Sequence, residues 1–164
     1  MTKVLAGHQA PNFALNGTNG RPFTLSEALK KGPVVAAFFK ISCPVCQFAF
    51  PFLERLHKAY GGERASFVGI SQDDARDTKE FCDEYAISFP ALLDDDGYPV
   101  SNQYGLTNVP TVFLIAPDGI VKVSSIGFSK ADLEKISSEL GQHLGRTPAA
   151  VFLPDEVVPD YKPG

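Results

Sequence analysis

Apolar stretches alternate with amphipathic ones along most of the chain, and this pattern predicts strands and helices in a defined order. The residues at 34–39 are all apolar, as expected for a central strand that is covered on both faces of a sheet. A long helix is predicted over 44–60, because its apolar positions recur every four residues: Phe48, Phe52, Leu56 and Tyr60. We expect Phe48, Phe50 and Phe52 to lie mostly in the core; for Phe50, which lies off the stripe, an edge of the active site or a dimer contact is the alternative.

Two short strands are predicted near the N-terminus, at 12–15 and 22–25. The residues between them are rich in Asn and Gly, which favour the tight turn of a hairpin. Ser26 is the predicted cap of a short helix that ends near Lys31. The remaining predicted elements are, in order, a strand over 65–70, a helix capped by Asp73 or Asp74 and ending near Tyr85, a strand over 90–93, a short helix to Tyr104, a hairpin of strands 111–115 and 120–123, and a helix from Ser129 to about Leu144.

This order of elements predicts an α/β fold with a mixed central sheet and helices on both faces. Residues 1–145 are expected to form one domain, which fits a chain of 164 residues. Residues 146–164 contain four prolines together with several large apolar residues. We therefore expect an extended C-terminal arm that packs against something. A homodimer contact, a cover over the active-site face and a strap that is ordered only in a crystal are the alternatives.

Composition narrows the function classes. The net charge of −4 provides no electrostatic footprint for nucleic acid or an anionic membrane surface. No apolar run approaches the roughly 18 residues of a membrane span. The opening residues 1–8 lack the apolar stretch of a secretory signal, so a cytoplasmic protein is expected. Three cysteines are too few for a disulfide framework, which draws attention to the closely spaced pair among them.

Cys43 and Cys46 have two residues between them and lie between the predicted central strand and the long helix. A zinc site needs two further ligands at metal-binding spacing, and the sequence offers neither a second such pair nor a nearby histidine pair. Haem attachment needs a histidine directly after the second cysteine, where this chain has Gln47. A redox dithiol needs a strand before it and a helix after it, and that context is met.

The chemistry of such a pair follows from its place on the helix. Cys43 falls at the N-terminus, where unpaired backbone N–H groups and the helix dipole favour a thiolate. Pro44 suits the first helical position. We expect Cys43 to attack a disulfide and Cys46, about one turn deeper, to resolve the mixed disulfide. Lys40 is a candidate thiolate stabiliser, with a solvated lysine at the strand end as the alternative.

Several motifs in order make the chain resemble the thioredoxin superfamily over residues 7–143. The nearest resemblance is to the TlpA/ResA-like thiol-disulfide oxidoreductases of the redoxin (AhpC/TSA) group. The matching segments are GHQAPNF at 7–13, the strand and C-P-x-C segment at 38–46 followed by Pro51, FPALLDDDG at 89–97, and the segment at 104–115 that contains YGL and VPTVFLI. The resemblance implies a thioredoxin fold with an N-terminal β-hairpin extension.

The resemblance also implies a set of site residues and partners. Pro110 is expected to be cis, to pack beside the dithiol and to shape a substrate groove that includes Val109, Ser42 and Pro44. The dithiol itself carries the electrons, so no metal, nucleotide or flavin cofactor is expected. A protein or small-molecule disulfide or thiol is the expected substrate. A reducing partner such as thioredoxin or glutathione is expected to recycle the protein.

The chain departs from this family pattern at three positions. Ser42 stands where a Trp usually precedes the first cysteine, so the rim of the groove is less aromatic. Ala37 replaces a buried Asp of thioredoxins, and Ala49 replaces a Glu found in many relatives. No carboxylate is therefore apparent for deprotonating Cys46. Low activity or an altered pH dependence is expected.

A peroxiredoxin-type thiol peroxidase with an antioxidant role is the main alternative. Laid on the peroxiredoxin motif P-x-x-x-T-x-x-C, the chain has Cys46 at the peroxide-reactive position, but Cys43 and Phe39 replace the Thr and the Pro. A non-enzymatic redox sensor or binding module is a further alternative. Cys82 is predicted to be a partly buried structural thiol, and the acidic run 94–96 a turn before a helix.

Overall fold

The computed structural model describes residues 3–164; Met1 and Thr2, which begin the segment considered above for a secretory signal, lie outside the described residues. Along the chain the elements are β1 (Ala14–Asn16), β2 (Pro22–Thr24), α1 (Leu25–Leu29), β3 (Val34–Phe39), α2 (Pro44–Tyr60), β4 (Ser66–Ser71), α3 (Ala75–Glu84), β5 (Ala91–Leu93), α4 (Pro99–Gln103), β6 (Thr111–Ile115), β7 (Val121–Ile126), β8 (Phe128–Ser129), α5 (Lys130–Leu144) and β9 (Tyr161–Lys162). Within residues 3–164, no helix combines the length and apolar character that crossing a membrane requires.

Five of the strands form a mixed central sheet in the order β5-β4-β3-β6-β7. The central strand β3 pairs in parallel with β4 and antiparallel with β6. The parallel pair is joined through the long helix α2, and β6 and β7 form the antiparallel hairpin. The separate N-terminal hairpin of β1 and β2 is also present. The predicted mixed α/β architecture is therefore confirmed.

The alternation of side chains along β3 divides the core into two layers. Val35, Ala37 and Phe39 point toward the layer that contains α2, α3 and α5. The intervening residues point toward the N-terminal segment, α1 and α4 on the opposite face. Every residue of β3 is buried, which explains why its sequence is apolar without alternation.

One local prediction is wrong, and one alternative is excluded. Ser26 does not cap α1, which begins at Leu25 with Thr24 before it; the Ser26 N–H instead donates to Asn12 Oδ1 at 2.9 Å. Phe50 lies in the core, and its complete burial excludes the alternative of a dimer contact through its side chain. Its ring contacts those of Phe39, Phe81 and Phe89, so α3 and the segment before β5 cover this side of α2.

The arm, residues 146–164, contains no helix and packs against α2 and α5 of its own chain. Val151 is buried, and the Phe152 ring lies 5.0 Å from that of Phe52 between ring centroids. Arg55 of α2 forms a two-pronged ion pair with Glu156, at 2.7 and 2.9 Å. Beyond this anchor the chain returns as β9 to pair with β8. The arm is thus a strap on the domain; a homodimer contact through it stays a prediction.

Candidate active site

Cys43 lies at the junction between the central strand and α2. It is the N-cap residue of α2, with extended backbone angles (φ −86°, ψ 113°), and Pro44 occupies the first turn. The Cys46 N–H donates to Cys43 Sγ at 3.1 Å. A backbone N–H aimed at a sulfur atom at a helix N-terminus stabilises negative charge on that atom. Cys43 is half-buried, so its sulfur combines this stabilisation with access from solvent.

Cys46 lies one turn deeper and is fully buried. Burial raises the pKa of the Cys46 thiol well above its ordinary value, and a hydrogen bond with Cys43 and the negative charge of Cys43 raise this pKa further. A backbone hydrogen bond from Lys40 opposes the rise. The two sulfur atoms are therefore unequal: one is accessible and held at a helix N-terminus, while the other is enclosed and stabilised as a neutral thiol.

The Val109–Pro110 segment lies against the dithiol. The peptide bond between these residues is cis, as the family resemblance implied. The Cys43 thiol donates to the carbonyl oxygen of Val109, with 3.5 Å between sulfur and oxygen. Pro110 is buried and Val109 is half-buried. Ser42 and Pro44 are exposed and flank Cys43 along the chain. Their part in a substrate groove stays a prediction.

Lys40 is placed differently from the other candidates. Its residue is exposed, and within residues 3–164 its ammonium forms no ion pair or hydrogen bond. The backbone of Lys40, in contrast, does contact the dithiol: its carbonyl accepts a hydrogen bond from the Cys43 N–H at 3.3 Å. The structure therefore connects Lys40 to the dithiol through the main chain, and a role for its ammonium stays a prediction.

The turn before Cys43 is held by two polar side chains that sequence analysis missed. Asp73 Oδ2 accepts from the Ile41 N–H at 2.8 Å, and Gln47 Nε2 donates to the Ile41 carbonyl at 2.9 Å. Asp74, rather than Asp73, is the cap of α3, since its side chain accepts from the Asp77 N–H. Asp73 and Asp74, the two alternative caps predicted from the sequence, thus have different roles: Asp74 caps α3, and Asp73 fixes the active-site turn.

No acidic side chain of the described residues contributes to the pKa shift of Cys46. The two positions where relatives carry a carboxylate hold buried alanines, Ala37 and Ala49. Glu54 is a buried carboxylate further along α2, but its oxygens accept from the backbone N–H and the hydroxyl of Ser88. The proton of Cys46 must therefore leave by a route other than an adjacent carboxylate.

Cys82 and Asp94, the other candidate groups, lie in surroundings that give them structural roles. Cys82 is half-buried on α3; burial, followed by the charges of Asp83 and Glu54, raises its pKa to about 11. Asp94 is buried, and its carboxylate accepts from Val100 N–H and from both the N–H and hydroxyl of Ser101, which fixes the start of α4. Throughout the described part of the chain, no group of three or more His, Cys, Asp or Glu side chains is arranged to hold a metal ion.

Comparison with known proteins adds four similarities. The AhpC/TSA family pattern matches residues 6–124. The thiol-disulfide oxidoreductase ResA of Halalkalibacterium halodurans is 33% identical over 132 residues, which cover 79% of this chain and 74% of that protein. A solved structure from Chlorobium tepidum, provisionally named thiol:disulfide interchange protein DsbE, has a TM-score of 0.76 and 28% identity, covering 87% of this chain and 100% of that one. The crystal structure of the peroxidoxin BcpB from Mycobacterium tuberculosis has a TM-score of 0.69 and 27% identity, covering 87% and 97% of the two chains.

These similarities confirm the thioredoxin fold predicted from the sequence. The matched family range contains the dithiol and Pro110 and ends within β7. The arm lies outside this range, so its contacts with α2 belong to the part of the chain that the family pattern does not describe.

Proposed function

The chain belongs to the AhpC/TSA family and is a thiol-disulfide oxidoreductase. We propose that Cys43 is its nucleophile and that Cys46 is its resolving thiol. The contrast between the two sulfur atoms is the observation that carries this assignment. Cys43 is accessible at the N-terminus of α2 and accepts a backbone hydrogen bond, whereas Cys46 is fully buried. Only an accessible thiolate can meet the disulfide of another molecule.

The first step is attack of the Cys43 thiolate on one sulfur of a substrate disulfide. A bond forms between Cys43 Sγ and that sulfur, the substrate S–S bond breaks, and the other sulfur leaves as a thiolate. Cys43 donates its thiol proton toward the Val109 carbonyl in the resting state. Loss of that proton ends this contact, which frees the sulfur to turn toward substrate, while the hydrogen bond from the Cys46 N–H remains.

The second step is attack of Cys46 on Cys43 Sγ, which forms the Cys43–Cys46 disulfide and releases the second substrate sulfur as a thiolate. In total two electrons pass from the dithiol to the substrate. The negative charge and hydrogen bonding of Cys43 both raise the pKa of Cys46 in the reduced protein. Formation of the mixed disulfide removes the charge on Cys43, so the first step itself makes Cys46 easier to deprotonate.

The dithiol supplies the electrons, and the proposal needs no other cofactor. A further round of reaction requires a reductant, which we propose to be a small thiol such as glutathione or a dithiol protein such as thioredoxin. Exposed Ser42 and Pro44 and half-buried Val109 support a substrate groove at this end of α2, with Pro110 beneath it.

A single-turnover reaction tests this function. The full chain is reduced, freed of reductant and mixed with bis(2-hydroxyethyl) disulfide. We expect one substrate disulfide to be reduced per chain, with a new disulfide between Cys43 and Cys46 and with Cys82 still open to alkylation in the denatured product. Mass spectrometry of the alkylated peptides identifies the pair. A reaction that consumes Cys82, or that proceeds no faster than with free cysteine, contradicts the proposal.

The resolving step is expected to become about tenfold faster with each pH unit between pH 6 and pH 8. The pKa of Cys46 is raised above this range, so its reactive thiolate is a minority species that increases with pH. An aromatic disulfide such as 5,5′-dithiobis(2-nitrobenzoate) reports the two steps as successive releases of coloured thiolate. Cys46→Ser should retain only the first release. A second phase whose rate is flat with pH would contradict the argument that no local base assists Cys46.

Hydrogen peroxide is a second candidate substrate, because a peroxidoxin is among the similar structures. Peroxide reduction through Cys46 is opposed by the complete burial of that sulfur and its raised pKa. Phe39 and Cys43 also replace the Pro and Thr of the peroxiredoxin motif. An antioxidant role would therefore depend on slow oxidation of the accessible Cys43 thiolate.

Reduced protein is expected to react with hydrogen peroxide no more than about tenfold faster than free cysteine does, since nothing in the site polarises the O–O bond beyond one backbone N–H. Stopped-flow mixing measures this rate in the full chain and in the Cys43→Ser and Cys46→Ser variants. A much faster reaction that survives in Cys43→Ser and is lost in Cys46→Ser would instead identify a peroxidase with Cys46 as its reactive cysteine.

A further inference from the structure

The end of the arm lies on the loop that contacts the active-site sulfur. We call residues 161–164 the distal arm. The Asn108 side-chain amide donates to the main-chain oxygen of Gly164 at 3.3 Å. Gly164 also packs closely on Val109: a Cβ atom added to Gly164 would overlap the Val109 carbonyl. The carbonyl of Val109 is therefore flanked by the Cys43 thiol and by the distal arm.

The distal arm reaches this place through β9, which pairs with β8 directly after the central hairpin. It passes close over Gly127, where an added Cβ would overlap the Lys162 carbonyl. The Lys162 ammonium lies 4.9 Å from the centre of the Phe48 ring, on the first turns of α2. The distal arm thus lies on one side of Cys43, between the start of α2 and the segment 104–110, which we call the Val109 loop.

The distal arm is held much more lightly than the rest of the arm. Residues 149–156 are fixed by buried Val151, the Phe152 ring and the Arg55–Glu156 ion pair. The distal arm is held by a two-residue strand pair, one cation–π contact and the Asn108 hydrogen bond. Such surface contacts are individually weak and open readily. The arm therefore combines a firmly held part, residues 149–156, with a lightly held distal arm.

We propose that the distal arm selects substrates by shape, so that compact disulfides reach Cys43 directly whereas extended polypeptide disulfides react only when the distal arm is displaced. This inference rests on the proposed thiol–disulfide exchange and specifies its substrate class. An extended polypeptide gains affinity by pairing with exposed backbone groups beside the reacting atom. At Val109, Gly164 of the distal arm already packs against the backbone carbonyl. A small disulfide needs no backbone pairing and is not affected.

The test compares the full chain with a variant that ends at Asp160. Both proteins are pre-reduced and mixed, in single-turnover reactions, with two disulfides that share the leaving group 2-mercaptoethanol. One is bis(2-hydroxyethyl) disulfide; the other is a ten-residue peptide whose central cysteine carries mercaptoethanol. The shortened variant should react about tenfold faster with the peptide, because the site no longer has to open first, and within twofold of the full chain with the small disulfide.

A point variant gives the same test in the full-length chain. Lys162→Glu replaces the cation over the Phe48 ring by an anion, which loosens the distal arm. A several-fold faster reaction with the peptide is expected. Lys135→Glu, at an exposed position of α5, makes the same change of charge elsewhere and should leave both rates unchanged. Equal peptide rates in the full and shortened chains, or parallel changes with both disulfides, overturn the shape selection while leaving thiol–disulfide exchange intact.

Hydrogen exchange gives a readout that does not depend on reaction rates. Cys46→Ser is used to hold Cys43 in a stable mixed disulfide, either with mercaptoethanol or with the peptide. Displacement of the distal arm by the peptide should speed the exchange of the backbone N–H groups in the β8–β9 pair, with no such change in the mercaptoethanol adduct. Equal protection in the two adducts overturns the proposal. Failure of the mercaptoethanol adduct to form contradicts the proposed nucleophile, and with it the inference.

Discussion

The Cys43→Ser variant should reduce disulfides at least about a thousandfold more slowly than the full chain, because a serine hydroxyl is not ionised near neutral pH and is a far weaker nucleophile toward sulfur. The hydrogen bond from the Cys46 N–H can be retained by the serine oxygen, so the fold at the start of α2 should be preserved. The remaining thiol of the pair, Cys46, is fully buried and cannot substitute for Cys43.

The Cys46→Ser variant is expected to behave in a different way. It should carry out the first step at nearly the rate of the unmodified chain and then stop at the mixed disulfide, because the second thiolate is missing. Intact-mass spectrometry after mixing with bis(2-hydroxyethyl) disulfide distinguishes the cases. Cys46→Ser should gain the mass of one mercaptoethanol group, whereas Cys43→Ser should gain none over the same time.

Cys82→Ser is the matched control, since it removes a thiol of the same chain that lies on α3, away from the start of α2. Burial raises the pKa of Cys82, so its loss should leave the reaction unchanged. An adduct that forms on Cys46 in Cys43→Ser, together with an inactive Cys46→Ser, would reverse the two roles. Equal activity of all three variants would remove the dithiol from the reaction.

The central strand, the dithiol and the long helix could be predicted from the sequence because their signals are local. The run of apolar residues at 34–39 and the four-residue spacing along 44–60 are properties of neighbouring positions. Cys43 and Cys46 are also brought together by helical geometry alone, since one turn separates them. The cis bond before Pro110 was a weak local signal, which became specific only through the order of motifs around it.

The features that were missed depend on partners distant in sequence. Asp73 holds the Ile41 N–H across 32 positions of the chain, and its acidic neighbour made it look like a helix cap. Phe50 is buried because α3 and the segment before β5 fold over it, which the periodicity of α2 alone does not contain. The Arg55–Glu156 pair joins residues 101 positions apart. The composition of residues 146–164 predicts an extended arm that packs, but it does not predict which residues the arm contacts.

The contacts of the arm connect stability with access to the site. The same α2 that positions Cys43 also carries Phe52, Arg55 and Tyr60, which bind the arm. The helix is thus held from its outer side by residues that follow the family-matched range. The dithiol and the strap share one structural element, α2. Changes in the arm should therefore alter both the free energy of unfolding and the contacts at the Val109 loop.

Removal of residues 146–164 should lower the free energy of unfolding by about 3 to 5 kcal/mol. The deletion exposes the apolar surface that Val151 and Phe152 cover, and it removes the hydrogen bond from the Ala149 N–H to the Tyr60 hydroxyl. Urea denaturation of the reduced protein, followed by circular dichroism, measures the change. Deletion of the distal arm alone should lower the free energy of unfolding by less than about 1 kcal/mol, because its few contacts lie at the surface.

The stability difference between the full chain and the deletion variant should also depend on pH in a defined direction. The hydrogen bond from Arg55, followed by that from the Leu153 N–H, lowers the pKa of Glu156 from 4.5 to about 2. A carboxylate with a lowered pKa stabilises the fold above its unfolded-state pKa and loses this effect as the pH falls. The stability advantage of the full chain over the deletion variant should therefore shrink between about pH 4.5 and pH 2.

A deletion of residues 146–164 that lowers the free energy of unfolding by less than about 1 kcal/mol at pH 7 would mean that the domain is complete without its strap. The anchoring assigned to Arg55 and Glu156 would then be contradicted.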